Sequence, residues 1–191
     1  MKPITRIHHA IGSLLLMLLA CGCLAHELPD NRLTLVLRDD NHLSLGFYIH
    51  YADALHRALS PRTSFQEFTL VYSSLAAADF EKEMQRAQTK FRLGTRVVLA
   101  SGAALTIANW QWPAPATVQR SLQERAMASV VAPSAHSHDA PTEIRAEVVS
   151  AAAISAVSVL LPDEFQNVLV VSYRPAEVWI QPKQPSPVIK F

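Results

Sequence analysis

Residues 32–49 carry two runs of apolar–polar alternation with a turn between them, and no other stretch limits the fold as tightly. Leu33, Leu35 and Leu37 alternate with Arg32, Thr34, Val36 and Arg38, and Leu43, Leu45, Phe47 and Ile49 alternate with His42, Ser44, Gly46, Tyr48 and His50. Asp39-Asp40-Asn41 supplies the short polar side chains that favour a turn. A period of two puts one apolar face on each strand, so a hairpin with one side against a core is expected.

The first twenty-five residues follow a different pattern. Lys2, Arg6, His8 and His9 form a basic start, residues 10–20 an apolar run, and Cys23-Leu24-Ala25 satisfies the small-x-small rule of a signal peptidase site. The uncharged stretch 10–25 falls short of the roughly 20 residues a spanning helix needs, so residues 1–25 read as a signal peptide. Both cysteines, Cys21 and Cys23, lie inside it, leaving residues 26–191 without a disulfide in an oxidising compartment. Packing alone must then stabilise the domain. Leu18-Leu19-Ala20-Cys21 also approximates a lipobox. The expected location is therefore periplasmic, with membrane contact only if Cys21 is lipidated.

Further along, residues 52–59 suggest a short helix stopped by Pro61, and residues 65–75 fit either helix or strand. Phe80, Met84, Ala87 and Phe91 recur at helical spacing, which predicts an amphipathic helix over 76–92 with Ser74 as N-cap and Gly94 as its stop. Strands are expected at 96–100 and 104–111, a helix at 118–130, and strands at 143–150, 155–161, 168–173 and 177–180. Val168-Leu169-Val170-Val171 is apolar on both faces and reads as a central strand. Leu33, Leu35, Leu37, Leu45, Phe47, Phe80, Met84, Val170 and Trp179 should share one core. The expected organisation is a single β-rich domain with helices over 26–181 and a proline-rich tail over 182–191. Its class is α+β: an antiparallel sheet or sandwich with an inserted helical segment.

Composition excludes several functions. The signal holds two of the seventeen Lys+Arg and none of the sixteen Asp+Glu, so the remainder is nearly neutral and offers no basic field to nucleic acid. Outside the signal, Gly46, Gly94 and Gly102 are too scattered for a phosphate-cradling loop. There is no Gly-x-Ser-x-Gly, no His-Glu-x-x-His and no cysteine nucleophile after processing. No catalytic residue and no cofactor-binding residue stand out.

Histidines offer the candidate metal chemistry. Cleavage after Ala25 would expose the α-amine and imidazole of His26 to one ion, a chelate suited to copper, nickel or zinc. His136-Ser137-His138-Asp139 sits in a proline-flanked loop and is the second candidate. One site built from His26, His136 and His138 would unite them. Elsewhere, His42 and His50 share a strand face but lie roughly 26 Å apart, too far for one ion. His50 and His56 flank a strand-to-helix corner near Asp53, which is itself placed to pair with Arg57. Trp110 and Trp112 share one face. They would stack on sugars if exposed, but such a pair is expected in the core.

The Ala25-His26-Glu27-Leu28 start, the 32–49 hairpin, Trp110-Gln111-Trp112-Pro113, the His136/His138 loop and Tyr173-Arg174-Pro175 together resemble a group of exported bacterial proteins. These in turn resemble the extracytoplasmic regions of HupE/UreJ-type membrane proteins. That resemblance implies nickel or a related metal and a membrane transport protein as partner, although this chain lacks the membrane helices of the permease-like proteins. The expected function is a non-enzymatic periplasmic protein that handles a transition metal or serves a transport system. The second reading is a protein- or glycan-interaction module of the envelope that needs no metal.

Overall fold

The computed structural model describes residues 31–131 and 140–175, Val130 by its backbone alone. The alternating runs form β1 (Arg32–Asp39) and β2 (His42–Ile49), antiparallel, with Leu33 opposite Phe47 and Leu35 opposite Leu45. β6 (Thr142–Val149) pairs with the other side of β2 and continues the apolar rows, placing Ile144 opposite Phe47 and Val148 opposite Leu43. β5 (Ile107–Gln111) flanks β6, and β8 (Leu169–Tyr173) lies parallel to β1, giving the order β5-β6-β2-β1-β8. The α+β class therefore holds, in a mixed sheet whose one parallel pair among the described residues is β1 with β8.

The apolar run at β8 was expected at the sheet centre, and the structure corrects this. Among the described residues β8 is one of the two edge strands, all five of its residues are exposed, and Val170 retains 48% of its accessible surface. The centre belongs to β2, because β1 and β6 both match its alternation and can bury the same face. Hydropathy on both faces signals a covered strand only where something covers both sides.

Among the described residues four α-helices pack on the inner face: α1 (Tyr51–Leu59), α2 (Phe65–Ser73), α3 (Ala77–Gly94) and α4 (Pro115–Val131). Ser64 settles the ambiguity over 65–75, since its side chain accepts the Glu67 amide at 3.1 Å and starts a helix there. Phe68 and Tyr72, one turn apart, are then buried together. α3 buries Phe80, Met84, Ala87 and Phe91 as their spacing predicts. Its N-cap position, however, is Ala76 rather than Ser74, whose hydroxyl instead donates to Val71 O at the end of α2. Gly94 is the last residue of α3, with Thr95 as the C-cap, and packing favours glycine there, since a Cβ would lie 2.7 Å from Pro162 Cβ.

The strand expected over 104–111 is divided at Thr106. β4 (Ala104–Leu105) belongs to a second, antiparallel sheet with β3 (Arg96–Leu99) and β7 (Val157–Leu160), ordered β4-β3-β7, while β5 joins the large sheet. Among the described residues the core is one cluster that joins the inner rows of β1, β2 and β6 to all four helices and Phe165. Leu33, Leu35, Leu45, Phe47, Phe80 and Met84 lie in it as expected, and Leu37 packs against it. Each fully buried large apolar side chain contributes about 1.5–3 kcal/mol relative to exposure. Asn31 stitches one end of the sheet. Its Nδ2 donates to Phe165 O at 2.7 Å, its Oδ1 accepts the His50 amide at 2.9 Å, and its carbonyl accepts the Leu169 amide. Trp179, the strand expected at 177–180 and the 182–191 tail lie outside the described residues. Among those described, no helix is long and apolar enough to cross a membrane.

Candidate binding surface

The helices cover one face of the five-stranded sheet, and the opposite face carries the polar half of every alternating strand. Three cross-strand rows organise it. One runs Arg32, Tyr48, Glu143; the next runs Thr34, Gly46, Arg145, Gln111; the third runs Val36, Ser44, Glu147, Ala108. The middle row is low because Thr34 is short and Gly46 has no side chain. A depression of about 360 Å³ opens over it, rimmed by Tyr48, Arg145, Gln111, Asn109 and Tyr173.

A β-bulge builds the β5 wall of this depression. The register of β5 against β6 shifts between Ala108 and Gln111, and Asn109 there adopts φ +52°, a left-handed conformation that asparagine tolerates better than most residues. The extra residue resets the alternation. Ile107, Trp110 and Trp112 pack against the core, whereas Ala108, Asn109 and Gln111 are exposed. Asn109 Nδ2 then donates to Glu147 Oε2 at 2.8 Å.

Glu143, Arg145 and Glu147 are paired within the face. Tyr48 Oη donates to Glu143 Oε1 at 2.9 Å and Arg145 Nη2 donates to Glu143 Oε2 at 2.7 Å, while the Arg32 guanidinium lies 4.5 Å above the Tyr48 ring. The Arg145 hydrogen bond, aided by Tyr48 and opposed by partial burial, holds the Glu143 carboxyl below the usual carboxylate range. The same carboxylate raises the Tyr48 phenol, first by accepting its hydrogen bond. Against these paired groups stand atoms screened from solvent that have no hydrogen-bond partner among the described residues. Ser44 Oγ, His42 Nε2 and Arg32 Nε all belong to this face. His42 Nε2 lies 3.9 Å from Glu147 Oε1, beyond hydrogen-bonding reach.

The metal candidates His26, His136 and His138 lie outside the described residues. Among those described, no three His, Cys, Asp or Glu side chains are grouped to hold an ion. His42 starts β2 and His50 follows its end, as their sequence separation requires. At the strand-to-helix corner, the His56 ring is within hydrogen-bond distance of Thr63 O, at 2.9 Å, and packs against Phe65 and Phe68. Arg57 donates to Glu164 O. The tryptophans take the core role. Trp110 stacks on Phe47 at 5.6 Å and on Trp112 at 5.1 Å, so the sugar-stacking role proposed for an exposed pair does not apply to them.

The outward set was missed as a site, although half of it was visible as the polar partners of the core pattern. Asn109 carried no signal at all, since a bulge depends on the neighbouring strand. Comparison with protein-family models, with curated proteins and with solved structures finds no match for this chain.

Proposed function

We propose that this is an exported, non-enzymatic binding module that recognises its ligand on the outward face of the five-stranded sheet. The observation that carries the reading is the bulge at Asn109. A left-handed residue is retained where it turns two amides and a carboxylate toward one depression, and such strain concentrates at functional sites. The arrangement favours recognition over hydrolysis. Glu143 and Glu147 are four residues apart on β6, which separates them by about 13 Å along the strand. Paired carboxylates that cleave glycosides stand closer, at about 5–10 Å. Each carboxylate is also engaged by a neighbour, Glu143 by Arg145 and Tyr48, and Glu147 by Asn109.

The test is an amide-resolved NMR titration of protein processed to His26, using neutral sugars, amino acids, dicarboxylates and inorganic phosphate. At least one solute class is expected to shift the Thr34, Ser44, Gly46 and Gln111 amides. Shifts confined to the helices, or none from any solute, would overturn the reading. The metal role, and service to a membrane transport protein, are proposals that rest on His26, His136 and His138. Copper affinity equal in the native protein and a His136→Ala/His138→Ala variant would remove them.

A further inference from the structure

The geometry points to a polyhydroxylated ligand, a saccharide, seated over Gly46 and bonded by Ser44, Gln111, Arg145 and Glu147. This inference rests on the outward face being the binding surface.

Charge narrows the ligand first. Arg38 and Arg145 face Glu143 and Glu147 around the depression, so an anion over Gly46 would gain the two guanidinium groups but meet the two carboxylates, and a cation would meet the reverse. Like charges brought together at such range oppose binding, so neither ion is well matched. A neutral ligand faces no such opposition.

Hydrogen-bond chemistry narrows it further. The depression alternates acceptors and donors: the Glu147 carboxylate, the Gln111 amide with one of each, the remaining Arg145 N–H groups, and the Ser44 hydroxyl, which serves as either. A sugar hydroxyl donates once and accepts as well, so vicinal hydroxyls fit a mixed rim better than a ligand of one polarity. Ser44 Oγ is the informative atom. It is screened from solvent and lacks a partner among the described residues, although Glu147 is its cross-strand neighbour. A buried hydroxyl without a bond is costly, and a ligand hydroxyl that displaces the side chain covering Ser44 would satisfy it.

Shape agrees with both. At Gly46 the floor is bare backbone between Thr34 and Arg145, and Tyr48 leans over it, its ring carbon 3.5 Å from where a Cβ would stand. Tyr173 offers a half-exposed ring at the far rim. Aromatic faces beside polar rims suit the C–H faces of sugar rings. The volume of about 360 Å³ lies at the low end for ligand pockets, which favours one or two rings at a time.

The experiment is titration calorimetry of the processed protein with maltotriose and with an N-acetylglucosamine trimer, beside co-sedimentation with insoluble peptidoglycan. Binding to a trimer identifies a free oligosaccharide as the source; sedimentation alone identifies the polymer, and either supports the inference. Ser44→Ala, which keeps the strand and removes one hydroxyl, should weaken binding about tenfold. Gly46→Leu should abolish it by filling the floor, since no positive φ prevents a side chain there and circular dichroism can verify its fold. Gln85→Ala on exposed α3 surface should change nothing. Undiminished binding by folded Gly46→Leu would overturn the site. If amino acids or phosphate shift the Gly46 and Gln111 amides while no saccharide binds, the saccharide class is wrong but the binding surface stands. If no solute moves that face, both are wrong.

Discussion

The two faces of the five-stranded sheet share the central strands β1, β2 and β6 and obey opposite rules. On the inner face, Leu33, Leu45, Phe47, Ile144 and Val148 are buried to the last few per cent, and every position wants the same thing: apolar volume. On the outer face each residue wants a particular neighbour. Glu143 is engaged by Tyr48 and Arg145, Glu147 by Asn109, and Ser44 has none among the described residues. Non-directional burial tolerates exchange among side chains of similar size, whereas directional bonding ties function to single atoms. Inner substitutions should therefore be read in stability and outer ones in binding.

The largest expected effect tests the inner face. Leu45→Asp places an unpaired charge among Phe47, Ala146 and Leu35, and should cost several kcal/mol, enough to unfold a domain of ordinary stability. Its neighbour Ser44→Ala removes a screened hydroxyl with no partner among the described residues, so it should not destabilise and should gain about 1 kcal/mol. Urea denaturation of the two variants measures the contrast between faces across one peptide bond. A cooperative, fully folded Leu45→Asp would break it.

The bulge tests whether outer-face geometry is held at a cost. Asn109→Ala forces an alanine to adopt φ +52° and removes the bond to Glu147, so it should lose about 1–2 kcal/mol. Asn109→Gly relieves the conformational part and should be milder. Equal melting temperatures for the native protein and Asn109→Ala would show that β5 relaxes to regular pairing at no cost.

The smallest effect is electrostatic. Because Glu143 titrates below the usual carboxylate range in the folded protein, its pairing stabilises the fold above that range. The contribution is lost as pH falls through the lowered folded value. Tyr48, raised by the same partner, contributes below the ordinary tyrosine range and loses its contribution as pH rises through the raised value. Melting temperatures of the native protein and Glu143→Gln should therefore differ most near neutrality and converge in acid. A gap that widens in acid would reverse the assignment of the pair.

Local patterns carried much of the fold. Strict alternation located β1 and β2 and their buried rows, and helical spacing located α3 with its four buried residues, because both periods are imposed by backbone geometry within a few neighbours. Ser64 and Glu67 form a start signal that made α2 a helix, so that ambiguity was resolvable in principle. The division of 104–111 at Thr106 was not, since nothing local says that one extended segment serves two sheets.

By itself, then, the chain determined which side chains share a face and that one face of the hairpin would be apolar, because strand and helix periods are short-range properties. Strand order was decided only in three dimensions. β8, the most apolar run, took the edge because β1 and β6 complete the buried rows on either side of β2. The candidate surface was decided there too. Arg145, Gly46 and Thr34 become one row only when strands about a hundred residues apart come into register, and Asn109 turns outward only because β5 must bulge against β6.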